Sequence, residues 1–165
     1  MNDVETFCSR NHARLVGMLS LYCGERAIAE ELAQEALARV WRDWRKVAGM
    51  DRPEAWLHKV ALNLARSHFR RTSAERRATA RVVPATHYEE PDSAEKQAVR
   101  DAVCRLPVRQ KTALILRYYL DLPYLEIAVR MGVPEATARS LVSRAIARLR
   151  LNEGFDRSKE VADAT

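Results

Sequence analysis

An irregular stretch near the middle of the chain constrains the fold more than any other feature. Residues 82–91 hold two prolines and two adjacent acids and lack regular apolar spacing, whereas helical patterns continue on both sides. Such a stretch is typical of a connection between two separate cores. The sequence therefore predicts a domain at 1–81, a linker at 82–93, a second domain at 94–151 and a polar tail at 152–165 that is frayed or disordered.

The composition favours helices in both parts. Ala, Leu, Arg and Glu are abundant, whereas the 165 residues include only 5 Gly and 6 Pro, which leaves few turns for a β architecture. We predict an all-α fold of two small helical domains joined by a linker.

Three amphipathic helices are predicted in the first part. They cover residues 4–23, residues 28–44 and a segment that starts at Asp51-Arg-Pro53 and runs into an arginine cluster near Arg70. Apolar side chains recur at helical spacing in the second of these, which indicates an inner face. This inner face comprises Ile28, Leu32, Leu37, Val40, Trp41 and Trp44.

Four helices are predicted in the second part, over residues 93–105, 110–119, 124–131 and 134–151. A tight turn at Gly132-Val133 separates the last two. Two helices joined by about four residues that include a glycine form a helix-turn-helix, whose second helix enters the DNA major groove. The C-terminal domain is therefore predicted to be a helix-turn-helix.

Small, hydroxyl and arginine side chains share the outer face of the last helix. Arginine can contact guanine or phosphate, hydroxyl groups can contact phosphate, and small residues let the helix approach the bases. The predicted contacts to duplex DNA are Thr137, Arg139, Ser140, Ser143, Arg144 and Arg148. The pattern also fits an ordinary helical hairpin with a solvated basic face, and spacing alone leaves both interpretations open.

The charge of the chain favours a polyanionic partner. Its 28 Lys and Arg exceed its 22 Asp and Glu, which gives a net charge of +6. The excess is concentrated, because residues 66–81 contain six arginines and one acid. A solvated helix end with a flexible exit is the alternative interpretation of that run.

Other classes of protein find little support in the sequence. The three cysteines form no paired-cysteine motif and the four histidines have no metal-ligand spacing. No nucleophile, base and orienting acid can be assembled, so we expect no enzyme activity, metal or cofactor. The start lacks a signal-peptide pattern and no apolar run reaches about 18 residues. We expect a cytoplasmic protein without membrane insertion.

Several stretches resemble conserved regions of the extracytoplasmic-function (ECF) sigma factors of bacterial RNA polymerase. LPVRQKTALILRYYLDLPYLEIA at 106–128, with SRAIARLR at 143–150, resembles the family's fourth region. AEELAQEALARVWR at 29–42 resembles its polymerase-binding helix, and RPEAWLHKVALNLARSHFRR at 52–71 resembles the stretch that opens the promoter. The matches follow the family's order and span about residues 5–151.

The resemblance implies a promoter-specificity subunit that binds core RNA polymerase and promoter DNA and catalyses nothing alone. It also implies an anti-sigma factor as a further partner. It places contacts with the clamp helices of the largest polymerase subunit at Glu31, Gln34, Glu35, Arg39 and Trp41. It places contacts with melted promoter DNA at Trp56, Lys59, Asn63, Arg66, Arg70 and Arg71.

Alternatives stay open at three of these positions. In the family, the position of Asn63 captures a base flipped from the non-template strand, and an amide can hydrogen-bond a base edge; a polar surface residue is the alternative. For Trp41 and Trp56, the alternative is a position in the hydrophobic core. Leu141 stands where the family usually has a basic residue, which predicts the loss of one DNA contact.

The alternative function is a stand-alone helix-turn-helix regulator whose first half dimerises or senses a ligand.

Overall fold

The computed structural model describes the backbone of residues 3–79 and 94–162 and the side chains of residues 3–75 and 94–151. Every secondary-structure element in these ranges is a helix, and the chain divides into two compact units at Asp92 and Ser93. The predicted all-α fold with two helical domains is confirmed. The predicted linker at 82–93 lies outside the described residues.

The first unit contains four helices, α1 (Asp3–Cys23), α2 (Arg26–Arg42), α3 (Trp44–Val47) and α4 (Pro53–Thr79). Helix α1 packs against α2 and α4, and α2 also packs against α4. The core is built around large, fully buried side chains of α1, and burying an apolar side chain such as Leu or Met contributes about 1.5–3 kcal/mol. These are Leu15, Met18, Leu19 and Tyr22.

The turn between α1 and α2 depends on Gly24. Its φ of 78° lies in the left-handed region, which a residue without Cβ adopts at little cost. The amide of Gly24 donates to the carbonyl of Ser20 at 2.8 Å and closes the last turn of α1. The predicted end of the first helix at this glycine is therefore confirmed.

The next two helices differ from their predicted lengths. Helix α2 ends at Arg42 instead of Trp44, and the short α3 follows after Asp43, whose carbonyl accepts the amide hydrogens of Lys46 and Val47 at 2.9 and 3.0 Å. Helix α4 starts at Pro53 and continues through the arginine cluster to Thr79. No Gly or Pro follows Pro53 in α4, so each added residue extends an existing helix at little cost.

The second unit also contains four helices, α5 (Ala94–Cys104), α6 (Val108–Tyr118), α7 (Tyr124–Met131) and α8 (Glu135–Ala162). Helix α6 lies at the centre, because it packs against α7 and α8 and residues 110–116 are all buried. Helices α7 and α8 are the predicted helix-turn-helix.

The turn between α7 and α8 is a Schellman-type end. Gly132 has a φ of 64°, and the amide of Val133 donates to the carbonyl of Ala128 at 3.0 Å. Helix α8 then continues to Ala162, past its predicted end at Leu151. The expectation of a frayed or disordered tail is wrong for the backbone of residues 152–162, which contain one glycine and no proline to end the helix.

In the described ranges, no helix has the length and apolar character that crossing a bilayer requires. Among the same residues, no three His, Cys, Asp or Glu side chains are grouped so that they could bind a metal ion.

Candidate polymerase and nucleic-acid interfaces

The first half of α8 exposes the basic face that the sequence predicted. Arg139, Ser143, Arg144 and Arg148 are exposed, and Thr137 and Ser140 are half-buried beside them. The opposite face packs against the unit through Ala138, Leu141, Val142 and Ala145, which follow one another at helical spacing. The helix therefore presents arginines and hydroxyl groups to solvent along one side.

Leu141 belongs to the buried face of α8. Its side chain is only 9% exposed and follows Ala138 by three residues, so it faces α6 and α7 and not the arginine-bearing side. The leucine therefore contributes to the core of the unit, and the loss of a DNA contact at this position stays a prediction.

Arg139 has a more defined environment than its neighbours on this face. Its guanidinium donates to Glu135 Oε1 at 2.7 Å, and its Cζ lies 4.3 Å from the ring centroid of Tyr124. The side chain is still 59% exposed, so part of the guanidinium remains available to a ligand. Sequence reasoning missed both partners, although the spacing of four residues between Glu135 and Arg139 was a usable signal.

A second basic face lies on α4. Lys59, Asn63, Arg66 and Arg70 are exposed and spaced by four, three and four residues, so they form one stripe along the helix. We call these four residues the α4 stripe. Arg71 is also exposed, to one side of it, and the guanidinium of Arg70 lies 3.4 Å from Ser67 Oγ.

The other side of α4 holds the first unit together. Leu57, Ala61, Leu62 and Ala65 are buried, and the Phe69 ring packs against Tyr22 with centroids 5.9 Å apart. Trp56 is half-buried and precedes Lys59 of the α4 stripe by three residues. The stripe is therefore held on a helix whose opposite face is fixed by packing.

The predicted polymerase-binding residues lie on the exposed side of α2. Glu31, Gln34 and Glu35 are exposed, and Arg39 is half-buried and donates to Glu35 Oε1 at 2.9 Å. An exposed ion pair one helical turn apart contributes at most about 0.5 kcal/mol, so these side chains are available to a partner at small cost.

Trp41 is exposed, which overturns the alternative that it is a core residue. Its side chain is 51% exposed. The buried side of α2 is instead dominated by small residues, Ala29, Ala33 and Ala36, together with Leu32 and Val40. Helices α1 and α4 pack on α2, and Trp41, about 100° around the helix from the buried Val40, lies outside the buried side.

Trp41 is surrounded by charged residues of the α2–α3 junction. An open cavity of about 410 Å³ is lined by Val4, Trp41, Trp44 and the charged residues 42, 43, 45 and 46. Within it, Arg42 donates to both carboxylate oxygens of Asp43 at 3.2 and 3.0 Å. This hydrogen bonding lowers the pKa of the Asp43 carboxyl and raises the pKa of Arg42, so the pair stays charged. The junction combines an exposed aromatic ring with an exposed ion pair.

Both units match known families. The model for Sigma-70 region 2 matches residues 7–75, and the model for Sigma-70, region 4 matches residues 96–149. The RNA polymerase sigma-E factor of Streptomyces antibioticus is 32% identical over 126 residues, which cover 74% of this chain and 68% of the relative. The ECF RNA polymerase sigma-E factor of Haemophilus influenzae is 28% identical over 154 residues, which cover 83% and 80% of the two chains.

A solved structure is similar over nearly the full length. It is the sigma factor RpoE from Bartonella quintana in complex with the anti-sigma factor NepR, with a TM-score of 0.75 and 25% identity. The match covers 91% of this chain and 96% of that chain. Two region models in the family's order, a curated relative above 30% identity and this shared fold agree: the chain belongs to the extracytoplasmic-function sigma factors of the sigma-70 family.

Proposed function

We propose that the chain directs promoter recognition by dividing the work between its two units. The first unit binds core polymerase through α2 and holds melted DNA along α4, and the second holds the upstream duplex element with α8. The observation that carries this proposal is that each unit of a sigma-family chain exposes its own basic helix face. The chemistry of RNA synthesis stays with the polymerase, and the chain itself is not an enzyme.

The exposed face of α8 suits the major groove. Arginine can donate two hydrogen bonds to guanine O6 and N7, and hydroxyl groups such as that of Ser143 can bond phosphate oxygens. The small residues on this face, Ala136 among them, keep the helix axis close to the bases. Arg144 and Arg148 follow one another by four residues, so both can lie along one strand of the groove.

The α4 stripe suits a single strand. From Lys59 to Arg70 it extends about 16 Å along the helix axis, with three cations that attract phosphates regardless of sequence. Asn63 lies between the cations and offers both a donor and an acceptor to the edge of an unpaired base. Trp56 adds part of an aromatic ring on which a base can stack. The stripe thus combines general attraction with one group capable of base preference.

The exposed side of α2 suits a protein partner. Glu31, Gln34 and Glu35 are exposed and offer acceptors and one amide, and Trp41 offers an aromatic anchor of the kind enriched at interface centres. We assign this surface to core RNA polymerase. Because polymerase works in the cytoplasm, we also place the chain there.

An anti-sigma factor is the further partner that we propose. The similar sigma factor from Bartonella quintana was solved with one. Such a partner would regulate the chain by covering surfaces that polymerase or DNA requires.

Transcription with purified components tests the proposal. The chain is mixed with sigma-free core polymerase and fragments of the source genome, and transcripts are sequenced. We expect transcripts with defined 5′ ends only when the chain and core are both present. A chain that binds DNA tightly without core, and that adds no transcripts to core, would instead be a stand-alone helix-turn-helix regulator.

A further inference from the structure

Tyr124, the first residue of α7, contacts arginines from two other helices. The Cζ atom of Arg139 in α8 lies 4.3 Å from the ring centroid, and the Cζ atom of Arg117 in α6 lies 5.4 Å from it. A guanidinium within about 6 Å of an aromatic ring is attracted by the electrons of the ring face. The half-buried ring therefore connects the recognition helix to the two helices that support it.

Glu135 restrains the same guanidinium. Its carboxylate accepts a hydrogen bond from Arg139 at 2.7 Å, one helical turn before Arg139. Within the part of the chain whose side chains are described, Arg144 and Arg148 on the same face have neither a ring nor a carboxylate partner. Arg139 is therefore the member of the basic face that is held in one orientation while still 59% exposed.

We propose that Tyr124 is a positioning residue, which with Glu135 orients Arg139 toward one base pair of the upstream promoter element. The proposal rests on the proposed function of α8 as the duplex-reading helix. Immobilising a long, flexible side chain at an interface weakens binding by about two- to tenfold. A guanidinium that is already stacked and hydrogen-bonded avoids part of that loss.

The same arrangement favours a base over a phosphate. The Glu135 carboxylate offsets the charge of Arg139, which weakens the sequence-independent attraction to phosphates. The remaining N–H groups of the guanidinium still point in fixed directions, which a bidentate contact with guanine requires. The Glu135–Arg139 pair therefore lowers the sequence-independent affinity for DNA and raises the preference for one base at one position.

The test is a selection of duplexes by full-length holoenzyme. The probe is a pool of DNA duplexes with a randomised upstream segment of about ten base pairs, one helical turn, and the bound fraction is sequenced. Arg139→Ala identifies the base position that depends on Arg139. We expect Tyr124→Leu to reduce the preference at that same position by about two- to tenfold and to leave the other positions unchanged.

Three further variants separate positioning from folding. Tyr124→Phe keeps the ring and should restore the preference. Tyr118→Leu removes an exposed tyrosine that lies 5.8 Å from Arg117 Cζ, and it should change nothing in the selection. The double variant Tyr124→Leu/Arg139→Ala should match Arg139→Ala alone, because the guanidinium that reads the base is then absent whether or not the ring is present.

The outcomes distinguish this proposal from the function on which it rests. If Arg139→Ala leaves every position unchanged, Arg139 reads no base and the positioning role is refuted; the proposed role of α8 fails only if Arg144→Ala also leaves promoter binding unchanged. If Arg139→Ala abolishes one preference but Tyr124→Leu retains it, or if Tyr124→Leu weakens all positions equally, only the positioning role is refuted.

If the circular dichroism of Tyr124→Leu shows that the variant has lost helix, the selection is repeated with Glu135→Gln instead. This exposed substitution should steepen the salt dependence of binding and lower the preference at the Arg139 position. An unchanged preference with Glu135→Gln would also overturn the proposal.

Discussion

The polymerase-binding surface on α2 can be tested without disturbing the fold. The perturbation is Gln34→Ala combined with Glu35→Lys, which removes an amide and reverses a charge. Glu35 is paired with Arg39 at 2.9 Å, and a lysine at 35 faces Arg39 as a like charge. Loss of an exposed pair and gain of a repulsion one turn apart together cost at most about 1 kcal/mol of the free energy of unfolding.

Glu30→Lys is the matched control on the same helix. Glu30 forms an equivalent exposed pair with Arg26 at 3.0 Å, so its reversal has the same cost and the same change in net charge. It lies about 140° around the helix from Glu35 but only about 40° from Gln34, so it controls for the charge reversal at Glu35. The two variants should therefore melt within a few degrees of each other, because 1 kcal/mol corresponds to about 4–8 °C in a small domain.

Binding to core polymerase should separate the two variants. Truncating one hot-spot residue of an interface costs about 2 kcal/mol or more, so the double variant should bind core at least about tenfold more weakly than the control. Competition with a labelled sigma factor for core measures this directly. Equal affinities of the two variants would refute the assignment of Gln34 and Glu35, and loss of helicity in the double variant would make the pair structural.

Three other perturbations follow from the structure. Arg139→Ala or Arg144→Ala should weaken promoter binding by about 1–3 kcal/mol if the arginine contacts a base, whereas a phosphate contact should chiefly flatten the salt dependence; unchanged binding in both would remove α8 from this role. Asn63→Ala should cost about 1 kcal/mol on a pre-opened bubble that carries the preferred base, and a variant that keeps full base preference would make Asn63 a surface residue. Asp121→Val should lower the free energy of unfolding by about 1–2 kcal/mol, because Asp121 has a φ of 51°, whereas Asp121→Gly should stay within about 1 kcal/mol of the parent despite losing the ion pair with Arg117; urea unfolding in the reverse order would contradict this.

Local sequence signals located some elements accurately. Helix α7 has the predicted bounds because Pro123 restricts the residue before it and Gly132 supplies the left-handed turn after it. At two other helix ends the predicted bounds were wrong. The break after Arg42 involves neither Gly nor Pro, and α8 passes Gly154 because an established helix continues at little cost.

Some features of the candidate site were also predictable from the sequence, and others were not. Helical geometry alone predicts which arginines share the outer face of α8. It does not predict the exposure of Trp41, because that depends on how the neighbouring helices α1 and α4 pack on α2. The contact between Tyr124 and Arg139 joins two helices, so no periodicity within one helix could reveal it.

The central claim is that this chain makes polymerase open a promoter, and permanganate footprinting tests it most directly. Permanganate oxidises unpaired thymines, so a promoter recovered from transcription with the holoenzyme is probed with the chain alone, with core alone and with both. The account predicts a reactive stretch at the start site only with both, and a weaker one when Arg70 and Arg71 are replaced by Ala. Melting by core without the chain, or full duplex protection without melting when both are present, would contradict it.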